Sequence, residues 1–244
     1  MSAITSKTIS EMVRKDYRLA DVFKKWGINY CCGGNGTLDE VCNALQLDKA
    51  LVEKEIEQAT QTIQLPNTLQ FEIWPFDFMV DYIFHVHHSY IKIFGPRLQQ
   101  ILFNYVEGHK TKYPHLVDVQ KTFHALLNAL LEHTKKEDEV IFPYIKQINS
   151  SYKQKATYGP LLVRTLKKSL ADVTGKEHTQ IAELLTALRE AANNYVFPED
   201  ACTNHQVIYH KLKEFDADLV QHKHLENNIL FPKATQMEKE LLQL

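Results

Sequence analysis

The feature that most constrains this chain is a repeat. His133-Thr-Lys-Lys-Glu137-Asp-Glu-Val-Ile-Phe142-Pro143 and His222-Lys-His-Leu-Glu226-Asn-Asn-Ile-Leu-Phe231-Pro232 both read H-x3-E-x4-F-P. A further histidine precedes each copy at nearly the same distance: His88 lies 45 residues before His133, and His178 lies 44 before His222. The chain therefore states one pattern twice, a helix with one His followed by a helix with His and Glu. Residues i and i+4 share one face of a helix, a turn apart, so each His–Glu pair reaches a single region. Four such helices make a bundle, and bundle cores are where ligand-bearing side chains converge. Two carboxylates meeting in a core repel unless cations stand between them. Imidazole with carboxylate suits iron, manganese or zinc. The economical arrangement is a dinuclear site with bridging carboxylates, built from His88, His133, Glu137, His178, His222 and Glu226. A single H-x3-E arises often by chance and marks nothing by itself; two copies with identical tails and matched upstream histidines do.

The other histidines read as bland. His85 and His87 compete with His88 for the ligand position, and spacing alone leaves them open. His224 lies about 200° around the helix from His222 and faces away. His109, His115, His124, His205 and His210 read as residues of the surface or just outside the ligands, and the Phe-Pro pairs as core and kink.

Only 8 Gly and 8 Pro in 244 residues favour long helices over a many-turned sheet protein. Hydrophobic residues at 44% and charged residues at 24% allow a packed core and argue against disorder. A net charge of -2 gives no electrostatic footprint for nucleic acid. No apolar stretch reaches the ~18 residues of a membrane span, and the first residues lack the apolar run of a signal peptide. Without an export signal, Cys31, Cys32, Cys42 and Cys202 read as reduced thiols of a cytoplasmic protein.

Along the chain, residues 1–60 read as a small helical domain. Helical spacing covers Thr8 to Lys25, a Gly-rich break holds Cys31-Cys32-Gly33-Gly34, and Thr37-Leu-Asp-Glu40 has the form of a capping box. A further helix starts near Asp48. Residues 61–72 read as a linker, and 73–244 as the four-helix bundle, with helices from Asp77 to Glu107, Val117 to Asn149, Gly159 to Asn193 and Thr203 to Glu240. Gly95-Pro96 predicts a bend in the first, and Pro143 and Pro232 fall inside the second and fourth. Vicinal Cys31 and Cys32 have two readings from residues alone: packing beside a glycine turn, or thiol chemistry with iron or a redox partner.

No Glu-x-x-His of the ferritin-type bundles occurs. The His-rich pattern instead resembles the hemerythrin-like family. Oxygen-carrying hemerythrins place a second His four residues after the one on the third helix, where this chain has Ala182, and space the last pair as H-x4-D rather than H-x3-E. The site is therefore more open than an oxygen carrier's. Leu225-Glu-Asn-Asn-Ile-Leu-Phe-Pro232, Asn193-Asn-Tyr195, Ala201-Cys-Thr203 and Asp16-Tyr-Arg-Leu-Ala-Asp-Val-Phe-Lys-Lys-Trp-Gly-Ile-Asn-Tyr-Cys-Cys-Gly-Gly34 together resemble the iron–sulfur cluster repair proteins of the ScdA/YtfE type, over essentially the whole chain. Between Gly159-Pro160 and Glu177-His178 this chain carries about ten extra residues, which leaves the start of the third helix open.

The resemblance implies an all-α, hemerythrin-like up-down four-helix bundle behind a small N-terminal helical domain. It implies His88 as the first-helix ligand, two non-haem iron ions bridged by carboxylate and oxo or hydroxo groups, and a functional role for Cys31 and Cys32. It further implies a cytoplasmic stress protein that restores iron–sulfur clusters after oxidative or nitrosative damage, by iron donation, with damaged iron–sulfur proteins as partners. Two other classes stay open: a nitric oxide reductase or peroxide-consuming oxidoreductase, and an O2- or NO-binding sensor or store. Neither a nucleic acid nor a membrane partner is expected, and the sequence leaves open whether the chain forms a homodimer.

Overall fold

Two Thr-x-x-Glu sequences set the N-terminal helices. Thr8 accepts from the Glu11 amide at 3.2 Å while Glu11 accepts from the Thr8 amide at 2.9 Å. Thr37 and Glu40 make the same reciprocal pair, at 3.4 and 2.8 Å, and each pair satisfies two amides that a helix start leaves bare. The structure, a computed structural model, describes residues 7–31, 34–61, 69–165 and 170–243, without the side chains of 171–174. Cys32 and most of the 61–72 stretch lie outside the described residues. Among these residues the secondary structure is helical, apart from one isolated bridge between Thr8 and Thr37. No helix is long and apolar enough to cross a membrane.

The chain divides into two compact units: Met1–Asn67 with Tyr195–Leu212, and Thr68–Asn194 with Lys213–Leu244. The first holds α1 (Ile9–Lys15), α2 (Leu19–Lys25), α3 (Leu38–Leu45) and α4 (Lys49–Thr60). The helical spacing from Thr8 to Lys25 is thus split in two. Asp16 takes extended backbone, φ -143° and ψ 102°, and its carboxylate holds the Arg18 guanidinium at 2.6 Å. Gly27, at φ +69°, ends α2 in a conformation that a side chain would strain. Ile9, Val13, Phe23 and Val52 form a core that also includes Val207. Ser10 and Thr203 share a hydroxyl hydrogen bond of 2.9 Å, Lys211 pairs with Asp21 at 2.5 Å, and Tyr17 stacks on His210 at 5.2 Å. These long-range contacts draw residues 195–212 into this unit.

The second unit carries the four helical runs. The first is α5 (Phe76–Tyr82), a π-helical turn (Ile83–His88) and α6 (Ser89–His109). The second is α7 (Leu116–Lys136), a π-helical turn (Glu137–Ile141) and α8 (Phe142–Gln154). The third is α9 (Gly159–Val163) and α10 (Leu170–Ala191), with 166–169 between them outside the described residues. The fourth is α11 (Thr203–Leu225), of which Lys213 onward belongs here, a π-helical turn (Glu226–Leu230) and α12 (Phe231–Leu241). Helix α7 packs on both α6 and α10. Gly95 of α6 faces Leu127 of α7: a Cβ there would stand 2.4 Å from the Leu127 Cδ1 methyl, and that side chain would have to shift. Helix α6 runs on through Pro96 without ending.

The prolines of the repeat do not end their helices either. Pro143 and Pro232 fall at the start of α8 and α12, where a helix does not need the missing N–H. Just before them the Phe142 amide donates to the Glu137 carbonyl, and the Phe231 amide to the Glu226 carbonyl. Both bonds span five residues, the mark of a π turn, which α-helices accommodate as single bulges and often at functional sites. The E-x4-F-P signature is therefore a backbone device: Glu accepts from the Phe five residues on, and Pro restarts the α-helix.

Candidate metal centre

The π turns sit on the candidate ligands and turn them inward. Glu137 and Glu226 are each the first residue of one turn, and His88 is the last residue of another. In an α-helix neighbours point about 100° apart. The wider first turn instead leaves both His87 and His88 buried, at 1% and 0% exposure.

All six sequence candidates are buried, and the structure brings them together in two groups of four: His88, Glu137, His222 and Glu226; and His133, Glu137, His178 and Glu226. Both carboxylates belong to both groups. Glu137 Oε2 lies 3.4 Å from His88 Nε2 and 3.2 Å from His133 Nε2, and its Oε1 lies 3.7 Å from His178 Nε2. Glu226 Oε1 lies 2.7 Å from His222 Nε2, and its Oε2 3.6 Å from His178 Nε2. Within each group two imidazole nitrogens face one another, His88 to His222 at 3.0 Å and His133 to His178 at 3.1 Å.

This arrangement fits metal ions. Both oxygens of Glu137 and Oε2 of Glu226 are buried without a hydrogen bond, since the nearby imidazoles are close but not aligned as donors. Buried carboxylates of this kind call for cations. The electrostatics agree. Burial would push the Glu226 carboxyl up, but His222, His88 and His133 hold it well below the ordinary range. Burial would lower His88, yet the carboxylates of Asp138, Glu137 and Glu226 push it up to about 11. His178 is raised against burial by Glu137 and Glu226 with help from Asn227. The pocket's field is negative and attracts positive charge.

Three of the four imidazoles are oriented through their far nitrogen. His88 Nδ1 bonds Asp138 at 2.6 Å, His133 Nδ1 bonds Glu177 at 3.0 Å, and His178 Nδ1 bonds Asn227 at 2.6 Å. Such partners fix the tautomer that presents Nε2 to a metal. Lys92 pairs with Asp138, and Lys136 with Glu177 at 2.5 Å. Sequence reasoning missed these three partners, although each is the chain neighbour of a candidate ligand: Asp138 follows Glu137, Glu177 precedes His178 and Asn227 follows Glu226. The repeat's phenylalanines also take part. Phe142 stacks on His88 at 5.1 Å and Phe231 on His178 at 5.7 Å.

The competing histidines belong to neither group. His85 is exposed, and His87 bonds Asp218 at 2.8 Å through Nδ1. His224 is exposed and bonds Asn228 at 2.7 Å. His205, expected at the surface or near a site, is fully buried in the first unit, edge-on to Tyr209 at 4.5 Å. In that unit Cys31 is half-buried and its amide donates to Asn29 Oδ1 at 3.0 Å. Beside it, burial pushes the Tyr30 phenol up to about 12, with the charges of Asp21, Cys31 and Cys202 adding to the effect.

Comparison with known proteins matches this architecture part by part. The family model described as the hemerythrin HHE cation-binding domain matches residues 79–234, and the ScdA N-terminal domain model, described as of unknown function, matches residues 5–60. The iron–sulfur cluster repair protein ScdA of Staphylococcus haemolyticus is 28% identical over 231 residues, 94% of this chain and 99% of its own. The iron–sulfur cluster repair protein YtfE of Enterobacter sp. strain 638 is 29% identical over 234 residues, 95% of this chain and 98% of its own. That of Escherichia coli O8 is 28% identical over the same length, with the same coverage. With a cation-binding model spanning well over half its length and a buried His/Glu pocket suited to an iron cofactor, this chain belongs to the hemerythrin HHE cation-binding family.

Proposed function

We propose that this protein repairs iron–sulfur clusters damaged by oxidative or nitrosative stress, acting in the cytoplasm as a di-iron protein that donates iron. The observation that carries this reading is the sharing of Glu137 and Glu226 between both groups, with two imidazoles in each. Full-length similarity to proteins named for that repair supports it. His88, His133, Glu137, His178, His222 and Glu226 are the ligands in this reading, and all six belong to the unit of Thr68–Asn194 and Lys213–Leu244.

Bound iron supplies redox-active, exchangeable ions. The chain's own residues do the rest. Glu137 and Glu226, each within reach of both groups, would hold iron at either one. Asp138, Glu177 and Asn227 hold three imidazoles in the metal-binding tautomer, and Lys92 and Lys136 balance the outer carboxylates. Ala182 stands where an oxygen carrier's extra His would be, so one iron would lack a His and be more open to exchange. Cys31 and Cys32 supply soft thiolate ligands, the kind that iron–sulfur clusters use, for iron on its way to a damaged partner. The same openness favours a second reading, reduction of nitric oxide.

The test mixes iron-loaded protein with a nitric-oxide-damaged iron–sulfur enzyme and follows both the recovery of that enzyme and N2O release. Recovery in step with iron loss from the bundle is expected. N2O release without recovery would replace repair by the second reading. Replacing Cys31 and Cys32 together by Ser is expected to keep the iron and lose most of the repair; full repair by that variant would make the thiols structural.

A further inference from the structure

His222 is the exception among the four inward imidazoles. Its Nδ1 is buried and has no hydrogen-bond partner, whereas the other three are held by Asp138, Glu177 and Asn227. Two more orphaned atoms belong to its immediate neighbours. Asp218 stands one turn before His222 on the same face of α11, and its Oδ1 bonds His87 Nδ1 at 2.8 Å. The His87 ring is 1% exposed and stacks on the His222 ring, centroids 5.7 Å apart and planes 14° apart. His87 Nε2 and Asp218 Oδ2 are both buried without a partner. Tyr82 lies edge-on against His87 at 5.5 Å.

The protons on these atoms follow from their other bonds. A His222 that binds metal through Nε2 carries its proton on Nδ1 and donates there. His87 donates from Nδ1 to the Asp218 carboxylate, so its Nε2 accepts, and Asp218 Oδ2 accepts as well. A donor on His222 and an acceptor on the ring beside it are what a single water bridges, accepting from Nδ1 and donating to His87 Nε2, while Asp218 fixes the His87 tautomer through Nδ1. Neither nitrogen reaches the other directly, since both are without a hydrogen-bond partner.

We propose that His87 and Asp218 are positioning residues for the metal centre, holding one buried water that takes the proton of His222 Nδ1 and so fixes this imidazole as Asp138, Glu177 and Asn227 fix the others. The proposal rests on the reading of His222 as a metal ligand. His87, a rival for the ligand position by sequence alone, then acts one step out from the metal.

Full-length protein loaded with Zn(II), which is diamagnetic, allows the Nδ1 proton of His222 to be followed by nitrogen-15 NMR. Iron(II) affinity is measured in parallel by anaerobic competition with a chelator. A slowly exchanging His222 Nδ1 proton is expected in the parent. His87→Phe keeps the stacking and removes the acceptor; it is expected to speed that exchange and to weaken iron(II) binding by roughly 10–100-fold, as loss of an outer partner of a metal-bound His does. His87→Gln, which restores a polar atom, is expected to recover most of the affinity. Asp218→Asn, which preserves shape, is expected to move both readouts in the direction of His87→Phe. Unchanged exchange and affinity in His87→Phe and Asp218→Asn would overturn the proposal. If Zn(II) fails to shift the Nε2 signals of the inward histidines in the parent, the metal-centre reading itself falls.

Discussion

The two halves of the repeat share a backbone and differ in what surrounds it. In both, a Glu carbonyl accepts from a Phe amide five residues on, and a Pro restarts the helix. The rings that these phenylalanines cover are held differently. His88, under Phe142, is fully buried and bonds a carboxylate, Asp138, itself backed by Lys92. His178, under Phe231, is 7% exposed and bonds a neutral amide, Asn227, on the exposed side. One single-His run also bends through a π turn at its histidine, whereas His178 stands on an unbroken α10. A repeat can thus preserve the device that aims the ligands while each half sets its own grip on the metal.

The largest difference between the halves is expected at the outer partners. Asp138→Asn removes the charge behind His88 and is expected to weaken iron binding by roughly 10–100-fold, within the range for such partners. Asn227→Ala removes only a neutral, exposed acceptor, and the loss is expected to be smaller. Chelator competition under anaerobic conditions measures both, and equal losses would mean that the two halves grip alike.

A smaller effect is expected where the halves are tied together. Tyr144, on α8, donates to Glu238, on α12, at 2.5 Å, and both are buried. Tyr144→Phe strands the Glu238 carboxylate and is expected to cost about 1–3 kcal/mol in urea unfolding of the metal-free protein. Burial and Glu238 raise the Tyr144 phenol well above its ordinary value of 10.0. A phenol raised on folding stabilises fully below its unfolded value, and that contribution is lost as pH rises above it. The parent's advantage over Tyr144→Phe should therefore be full at pH 8 and shrink once the pH passes about 10. An advantage that grows with alkaline pH would contradict the assignment.

The smallest effect lies in the other unit. Thr37→Ala removes the cap that holds the Glu40 amide, and a loss of about 1 kcal/mol in unfolding stability is expected. Iron content should not change, because no inward ligand is touched. Iron loss in this variant would show the two units to be coupled through the metal.

Much of this was legible in the sequence, for physical reasons. Helical spacing alone groups His133 with Glu137 and His222 with Glu226, and the Thr37–Glu40 cap follows from local chemistry. What escaped depends on register and on distant contacts. The E-x4-F-P tail was visible as a repeat, but its meaning lies in a backbone bond that α-helical spacing does not anticipate. The burial of His87 beside His88 follows from the same widening. Asp138, Glu177 and Asn227 each serve a histidine on another helix, so no pattern along one helix could pair them. Asp16 broke a run whose apolar spacing continued, because one side chain recaptured its neighbour Arg18. The grouping of residues 195–212 with the first unit rests on contacts such as Ser10 with Thr203, far apart in the chain.

The central claim is that the repeat builds one dinuclear centre in which each glutamate serves both ions. The most direct measurement is iron per chain with Mössbauer spectroscopy, on the parent and on Glu137→Ala and Glu226→Ala separately. Two coupled irons are expected in the parent, and loss of most of both in either variant. A variant that keeps one intact, uncoupled iron would show two separate sites and contradict it.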